Sequence, residues 1–197
     1  MVLASHIVFS TYGFWLPNDP RGSVSDYVRS KDLLPYGEAT YVKAVRSVAR
    51  KPHDPVIRRL AKETLKYSAV VLTGVQARSV VKGFKEAIAT ADMQIYGFAL
   101  LPSHAHFVIA RHRYLNETLV RLLKSAATRQ LVIDGLHPFQ HMSNATRPSP
   151  WNQKFWQRFL STEEQIRQRI NYVEQNPVKE GKTRQRWSFV KPFEWVG

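Results

Sequence analysis

Apolar residues recur at helical spacing in two segments of the chain, and these segments are its most regular elements. Residues 76 to 92 and 116 to 134 each place their apolar side chains along one stripe of a helix. The first stripe comprises Val80, Phe84, Ala87, Ile88 and Ala91, and the second comprises Leu119, Leu122, Leu123, Ala126, Ala127 and Leu131. Both segments are therefore predicted to be helices that cover a sheet, the second one capped by Asn116.

Three shorter runs have the pattern of strands. Residues 6 to 12, "HIVFSTY", are rich in β-branched and aromatic side chains. Residues 94 to 101 and 104 to 112 are separated only by a Pro-Ser dipeptide, which predicts an antiparallel hairpin. The order strand, helix, strand, strand, helix is most of a β-α-β-β-α-β unit. The predicted fold is therefore α+β, a ferredoxin-like antiparallel sheet with helices packed on one face.

The remaining segments fit one domain that spans residues 1 to 197. Residues 18 to 75 are predicted to be an insertion after the first strand, with short helices over 39 to 50 and 55 to 67. No segment has a clear pattern for the fourth strand of the sheet, and residues 135 to 153 are predicted to be loop.

A last helix and a tail complete the chain. The helix is predicted to begin at "STEE", where Ser161 and Glu164 have the spacing of a capping box. It is expected to end near Asn176, because Pro177 disfavours helix in the residue before it. Residues 182 to 197 form a basic, aromatic tail, which is expected to dock on the body of the domain, although a tail of this composition could also reach into an active site. Its aromatic residues are Trp187, Phe189, Phe193 and Trp195.

The charge of the chain favours a polyanionic partner. Lys and Arg total 29 against 15 Asp and Glu, so the formal net charge is +14. Nucleic acid is the leading partner class, since such a field attracts and steers polyanions. No apolar run reaches the roughly 18 residues of a membrane-spanning helix, and we expect a cytoplasmic protein. The absence of cysteine excludes disulfides, zinc ribbons and thiol catalysis.

Two histidines and a tyrosine are the candidate chemical groups. His104 and His106 point to the same face of a predicted strand, where they could bind one divalent cation or could be a solvated, hydrogen-bonded pair. Tyr172 lies away from the apolar stripe of the last helix, among amides and Arg169. It could be a nucleophile favoured by nearby positive charge, or a surface tyrosine with a local hydrogen bond.

The segment "LPSHAHFVI", followed some seventy residues later by "FWQRFLSTEEQIRQRINYVEQNPVKEG", resembles the HUH single-strand DNA transposases with one catalytic tyrosine, especially their REP-associated branch. The loop "WLPNDPRGS" is similar to one found in part of that family. The likeness spans most of the chain. Ser103 and Ala105 depart from the usual residues around the histidines, and neither departure removes a ligand or the nucleophile.

The resemblance implies a metal-dependent endonuclease and strand transferase. His104 and His106 would bind Mg²⁺ or Mn²⁺, and Tyr172 would attack DNA to form a 5′-phosphotyrosine. Asn176, which is i+4 from Tyr172, is the expected third ligand, with Gln175 or water as alternatives. The implied partner is single-stranded or hairpin DNA of repetitive palindromic elements, bound by a monomer or homodimer. The implied location is the nucleoid of a prokaryotic cell.

Basic residues near the predicted tyrosine helix are the candidate DNA contacts. The segment "WNQKFWQRF" interleaves aromatic residues with Lys154 and Arg158, a composition that suits bases stacking on rings and phosphates meeting cations. At least two of its four rings are expected to be core instead. The remaining candidate contacts are Arg21, Arg169 and Lys179. Arg21 could alternatively pair with Asp19 in its loop.

Two other functions remain open from the sequence. A basic ferredoxin-like sheet with aromatic residues also suits a non-catalytic, domesticated nucleic-acid-binding module. A histidine-metal hydrolase of a small anionic substrate would explain the histidines but not the net charge.

Overall fold

The computed structural model describes residues 1–14, 16, 19, 28, 30–37, 54–143, 145 and 147–194. Its strands are β1 (Ala4–Ser10), β2 (Ile95–Leu101), β3 (His104–Ala110) and β4 (Trp156–Leu160). Its helices are α1 (Pro55–Glu63), α2 (Gly74–Thr90), α3 (Asn116–Ile133) and α4 (Glu163–Lys179), with a short 3₁₀ helix at Lys31–Tyr36. The predicted helix over 39 to 50 lies outside the described residues.

The sheet confirms the predicted fold class. Its strand order is β2-β3-β1-β4, and every neighbouring pair is antiparallel. This is the order of a β-α-β-β-α-β unit, in which β3 lies between the first two strands of the sequence. The fourth strand, for which the sequence has no clear pattern, is β4, and it overlaps the basic and aromatic segment 151 to 159. It is five residues long and mostly half-exposed, so it carries almost no apolar alternation.

One face of the sheet is covered by α2 and α3, as predicted. Ile7 and Phe9 of β1 and Phe107 of β3 are fully buried beneath Phe84 of α2 and Leu123 of α3. Ala105, Phe107 and Ile109 all point to this face, so the strand parity inferred for the histidine segment is correct.

The opposite face is covered by α4. A second apolar cluster forms there from Ala4, Ala99, Val108, Leu160, Ile166 and Val173. The helix packs over β2 and β3, and the backbone of Ile170 lies so close to Gly97 that a Cβ added at Gly97 would be 3.5 Å from the Ile170 Cα. The C-terminal helix therefore lies on the face to which His104 and His106 point.

Helix α4 differs from the sequence prediction at both ends. Its N-cap is Thr162, whose side chain accepts a hydrogen bond from the Gln165 backbone, rather than Ser161. It continues through the buried Pro177 to Lys179. Proline here removes one backbone hydrogen bond, while Gly181, at a φ of 68°, ends the helix with a bond from the Lys182 backbone to the Pro177 carbonyl. The predicted end near Asn176 was therefore wrong.

The predicted cap at Asn116 was also wrong. The N-cap of α3 is Leu115, which has no side-chain cap. The Asn116 amide instead donates to Ser5 Oγ at 3.0 Å and to Gln157 Oε1 at 2.7 Å. Asn116 therefore ties α3 to the two strands β1 and β4. In contrast, the start of α1 is as predicted, since the Asp54 carboxylate accepts from two backbone amides of the first turn.

The tail docks along β2, as expected. Trp187 and Phe189 pack on Phe98, and Phe193 packs edge-on against Tyr96. Trp195 lies outside the described residues. The Gln185 side chain pairs with both the N–H and the carbonyl of Leu100, at 2.9 and 2.7 Å.

No described helix combines the length and apolar character needed to cross a bilayer.

Candidate active site

The two histidines of β3 point to the face of the sheet that α4 covers, and β3 pairs with β1 along its length. In the register of the sheet, His104 is opposite Ser10 and His106 is opposite Val8. Both side chains are buried, and their ring centres are 4.9 Å apart. The structure thus replaces the interpretation of a solvated pair with two enclosed imidazoles.

A third histidine, His6, belongs to the same cluster and was missed by the sequence interpretation. It lies on β1 diagonally across from His106, and only 2% of its surface is exposed. Its Nε2 is 3.1 Å from His106 Nδ1, and the two rings are inclined by 13°. The sequence did contain a signal: in the predicted fold β1 pairs with β3, and His6 alternates with the apolar residues that face α2 and α3.

Asn176 of α4 completes a hydrogen-bonded chain with these histidines. Its Nδ2 donates to His106 Nε2 at 2.7 Å. Because a neutral imidazole has one N–H, His106 then carries its proton on Nδ1 and donates to His6 Nε2. In this arrangement the Nε2 lone pair of His106 points toward α4.

Burial keeps the two hydrogen-bonded histidines neutral. Desolvation, reinforced by the charges of Arg169 and Arg158, lowers the pKa of His6 to about 3. Desolvation also holds the pKa of His106 well below its usual range, with smaller contributions from His104, His6 and Arg169. Neutral imidazole is the form that can coordinate a metal ion.

His104 is held by contacts with Phe14 and Ser103. The ring of Phe14 stacks on it at 5.5 Å with an inclination of 11°. Ser103 Oγ lies 3.3 Å from His104 Nδ1. The Ser103 hydroxyl can therefore orient the His104 ring through a hydrogen bond.

Tyr172 lies beside the histidines of its own chain. Its half-buried ring is centred 5.9 Å from that of His106 and 5.8 Å from that of His6, edge-on to both. The Arg169 guanidinium is 5.5 Å from the centre of the tyrosine ring, and Lys179 Nζ is 5.2 Å from it. One face of α4 thus brings a phenol, an amide and two cations to the histidine cluster.

Positive charge is concentrated at this site. Arg158 is opposite His6 in the register of β1 and β4 and points to the same face of the sheet. Desolvation and the charge of Arg158 lower the pKa of Arg169, so the two guanidinium groups repel each other. No ion pair joins either one to a carboxylate in the described part of the chain. A bound phosphate would relieve this repulsion.

Two other DNA contacts were predicted, Lys154 and Arg21. Lys154 lies in the segment that enters β4, and its backbone carbonyl accepts a hydrogen bond from Lys124 Nζ at 3.3 Å. Arg21 lies outside the described residues. Asp19 is buried and lies 3.8 Å from the Arg58 guanidinium of α1, so its described ion pair is with the insertion helix.

The aromatic residues around β4 divide between core and surface, as expected. Trp151 is buried and Phe155 packs against the same core. Trp156 is half-buried and meets the ring of His6 edge-on at 5.2 Å. Phe159 is 54% exposed. Trp156 and Phe159 are therefore the rings available at the surface.

The side chains of His104, His106 and Asn176 are of types that can coordinate a divalent cation, namely two imidazoles and one carboxamide. Within the described ranges, no group of three or more His, Cys, Asp or Glu side chains has the geometry to hold a metal ion. A metal site here would therefore need the Asn176 amide in addition to the histidines.

Comparisons with known proteins find solved structures of low sequence identity. No protein-family model matches the chain, and no curated protein matches it significantly. Among solved structures, the chain is similar to transposases. One is a REP-associated tyrosine transposase bound to a REP hairpin, with 14% identity over 98% of this chain and 85% of that chain and a TM-score of 0.49. Another is a protein of Deinococcus radiodurans R1, provisionally described as a transposase, with 11% identity over 93% of each chain and a TM-score of 0.39.

Proposed function

We propose that the protein is a metal-dependent endonuclease and strand transferase that acts on single-stranded or hairpin DNA through Tyr172. The observation that carries this proposal is the convergence, within one chain, of the Tyr172 ring, the His106 imidazole and the Asn176 amide. A phenol that served only as surface cover would not need buried neutral histidines beside it. A tyrosine beside buried histidines is suited to act as a nucleophile next to a metal site.

The metal would be held by His104, His106 and Asn176. His106 already directs Nε2 at Asn176, and a rotation of the carboxamide would turn its oxygen toward the same point. When bound, Mg²⁺ or Mn²⁺ would polarise and orient the scissile phosphate.

Tyr172 is the proposed nucleophile. Its oxygen forms a bond to phosphorus while the bond from phosphorus to the 3′ oxygen breaks. The phenol proton passes to water, and the leaving oxygen takes a proton from water to become a 3′-hydroxyl. The product is a 5′-phosphotyrosine, which retains the energy of the phosphodiester. A 3′-hydroxyl from another strand end can therefore reverse the step and join DNA without an external energy source.

Arg158, Arg169 and Lys179 are the proposed phosphate contacts. Arg169 and Lys179 flank the proposed nucleophile, where they can contact a phosphate that it attacks. Trp156 is half-buried on the same face of β4 as Arg158, and it offers ring surface on which an unpaired base can stack. The net charge of +14 supports DNA as the partner, and repetitive palindromic hairpins are the proposed targets.

The test is covalent capture of DNA. The protein is incubated with Mn²⁺ and a panel of end-labelled hairpin oligonucleotides, then resolved on a denaturing gel. We expect a protein–DNA adduct for the wild type and none for Tyr172→Phe, which should still bind DNA. Tyr114→Phe is the matched control, because Tyr114 is an exposed tyrosine in the connection between β3 and α3. An adduct formed equally by Tyr172→Phe would exclude this nucleophile.

A non-catalytic nucleic-acid-binding module is the second candidate. The observation in its favour is the weak donor set, which contains only two histidines and an amide. This alternative predicts tight, EDTA-insensitive binding of hairpins with no adduct for any oligonucleotide in the panel. The catalytic proposal predicts an adduct that EDTA abolishes.

A further inference from the structure

We propose that His6 is a positioning residue that fixes the tautomer of His106 with the proton on Nδ1, which leaves Nε2 free to bind a cation. This inference rests on the metal site of the proposed function. It adds a residue on β1, and therefore a second strand, to a site otherwise built from β3 and α4.

The hydrogen-bonded chain through His106 has two proton arrangements. In the first, Asn176 donates to His106 Nε2 and His106 Nδ1 donates to His6 Nε2. In the second, His6 donates to His106 Nδ1, and Nε2 carries a proton that the Asn176 oxygen accepts. Only the first leaves a lone pair on Nε2, so only the first is competent for metal binding. An acceptor fixed at Nδ1 selects it.

His6 is held rigidly enough to serve as that acceptor. It lies within β1 between two neighbours on the sheet, and its ring is buried. Trp156 and Tyr172 contact it edge-on from two other elements, with ring centres at 5.2 and 5.8 Å. The ring therefore cannot rotate freely away from His106.

The unpartnered atom of His6 argues against a purely structural role. His6 Nδ1 is buried and has no hydrogen-bond partner among the residues that the structure describes. Leaving a buried polar atom unpaired costs stability, which an apolar side chain of similar size would avoid. In the arrangement we propose, this atom bears the proton that His6 must carry when its Nε2 accepts from His106.

Two variants separate the acceptor from the bulk of the ring. His6→Gln keeps a carboxamide oxygen near the position of Nε2, and His6→Phe keeps the ring and removes the acceptor. In metal-free protein labelled with ¹⁵N, long-range imidazole spectra report the tautomer of His106. We expect a proton on Nδ1 in the wild type, in His6→Gln and in Tyr172→Phe, and a proton on Nε2 in His6→Phe.

Mn²⁺ affinity, followed by electron paramagnetic resonance, supplies the second measurement. His6→Phe should weaken the Kd by about 10- to 100-fold, the usual effect of losing a hydrogen-bond partner of a ligand, while His6→Gln should stay near the wild-type value. A wild-type His106 with its proton on Nε2 would overturn the inference, as would unchanged affinity in a folded His6→Phe. If His6→Phe does not fold, the spectra of the wild type and His6→Gln decide. Loss of the DNA adduct reaction with the expected tautomer intact would refute the proposed function alone.

Discussion

The contact between α2 and α3 yields a sharp prediction about the layer that supports the active-site sheet. Gly83 of α2 lies against the backbone of α3. A Cβ added at Gly83 would be 2.5 Å from the carbonyl oxygen of Ala126 and 2.7 Å from the Cα of Ala127. Both distances are well below van der Waals contact, and backbone atoms cannot rotate away as a flexible side chain could. Gly83→Ala must therefore push the two helices apart.

Two opposing effects determine how much Gly83→Ala changes the free energy of unfolding. Alanine is better than glycine inside a helix by about 1 kcal/mol. Overpacking a close contact costs about 1 to 3 kcal/mol, and separation of α2 from α3 also loosens the core around Phe84. Since the clash is with rigid backbone, we expect a cost in the upper part of this range, about 2 to 3 kcal/mol, and therefore a net loss of about 1 to 2 kcal/mol for Gly83→Ala. The corresponding fall in Tm is about 2 to 8 °C.

Urea unfolding followed by circular dichroism measures this loss. Gly74→Ala is the matched control, because Gly74 is in the same helix and no atom lies within 4 Å of a Cβ added there. Its free energy of unfolding should stay within about 0.5 kcal/mol of the wild type. Gly83→Ala as stable as Gly74→Ala would refute the close-contact argument.

Two further predictions concern pH and salt. Burial, with a smaller effect of Arg147, lowers the pKa of His137 from 6.5 to about 4. The unfolded chain therefore binds a proton that the folded chain does not between these values, so stability should fall as the pH falls from 6.5 to 4. His137→Gln should flatten that dependence in urea titrations, and an unchanged slope would contradict this origin. For DNA binding, Arg158→Ala should reduce the slope of log Kd against log salt by about 0.7 if it removes one phosphate contact. Lys85→Ala, on α2 behind the sheet, should leave the slope unchanged, and equal effects of the two variants would contradict a localised interface.

The fold was largely predictable because its helices and central strands have strong apolar periodicity. The apolar stripe of α2 and the paired strand patterns of β2 and β3 were enough to predict these elements from their own residues. β4 could not be found this way, since its half-exposed residues give no alternation. The end of α4 was misjudged because the rule for the residue before proline is local, whereas Pro177 is buried within the helix.

The sequence predicted which residues of the candidate site share a face of their strand or helix, but not how α4 packs against the sheet. Strand parity placed His104 and His106 together, and the i, i+4 spacing placed Tyr172 and Asn176 on one side of α4. Only the packing of α4 on the sheet shows that Asn176 reaches His106 at 2.7 Å. His6 was missed because its partner is 100 residues away in sequence.

The docked tail has a consequence for how this sheet meets other chains. An edge strand with unpaired backbone groups is a template for adding a strand from another molecule, which leads to association or aggregation. Here the C-terminal tail of the same chain binds the edge of β2. The Gln185 side chain pairs with the Leu100 backbone as a strand residue would, and the Lys191 N–H donates to the Ile95 carbonyl. The β2 edge is therefore closed to a strand of another chain at these positions, while the candidate site lies on the α4 face of the same sheet.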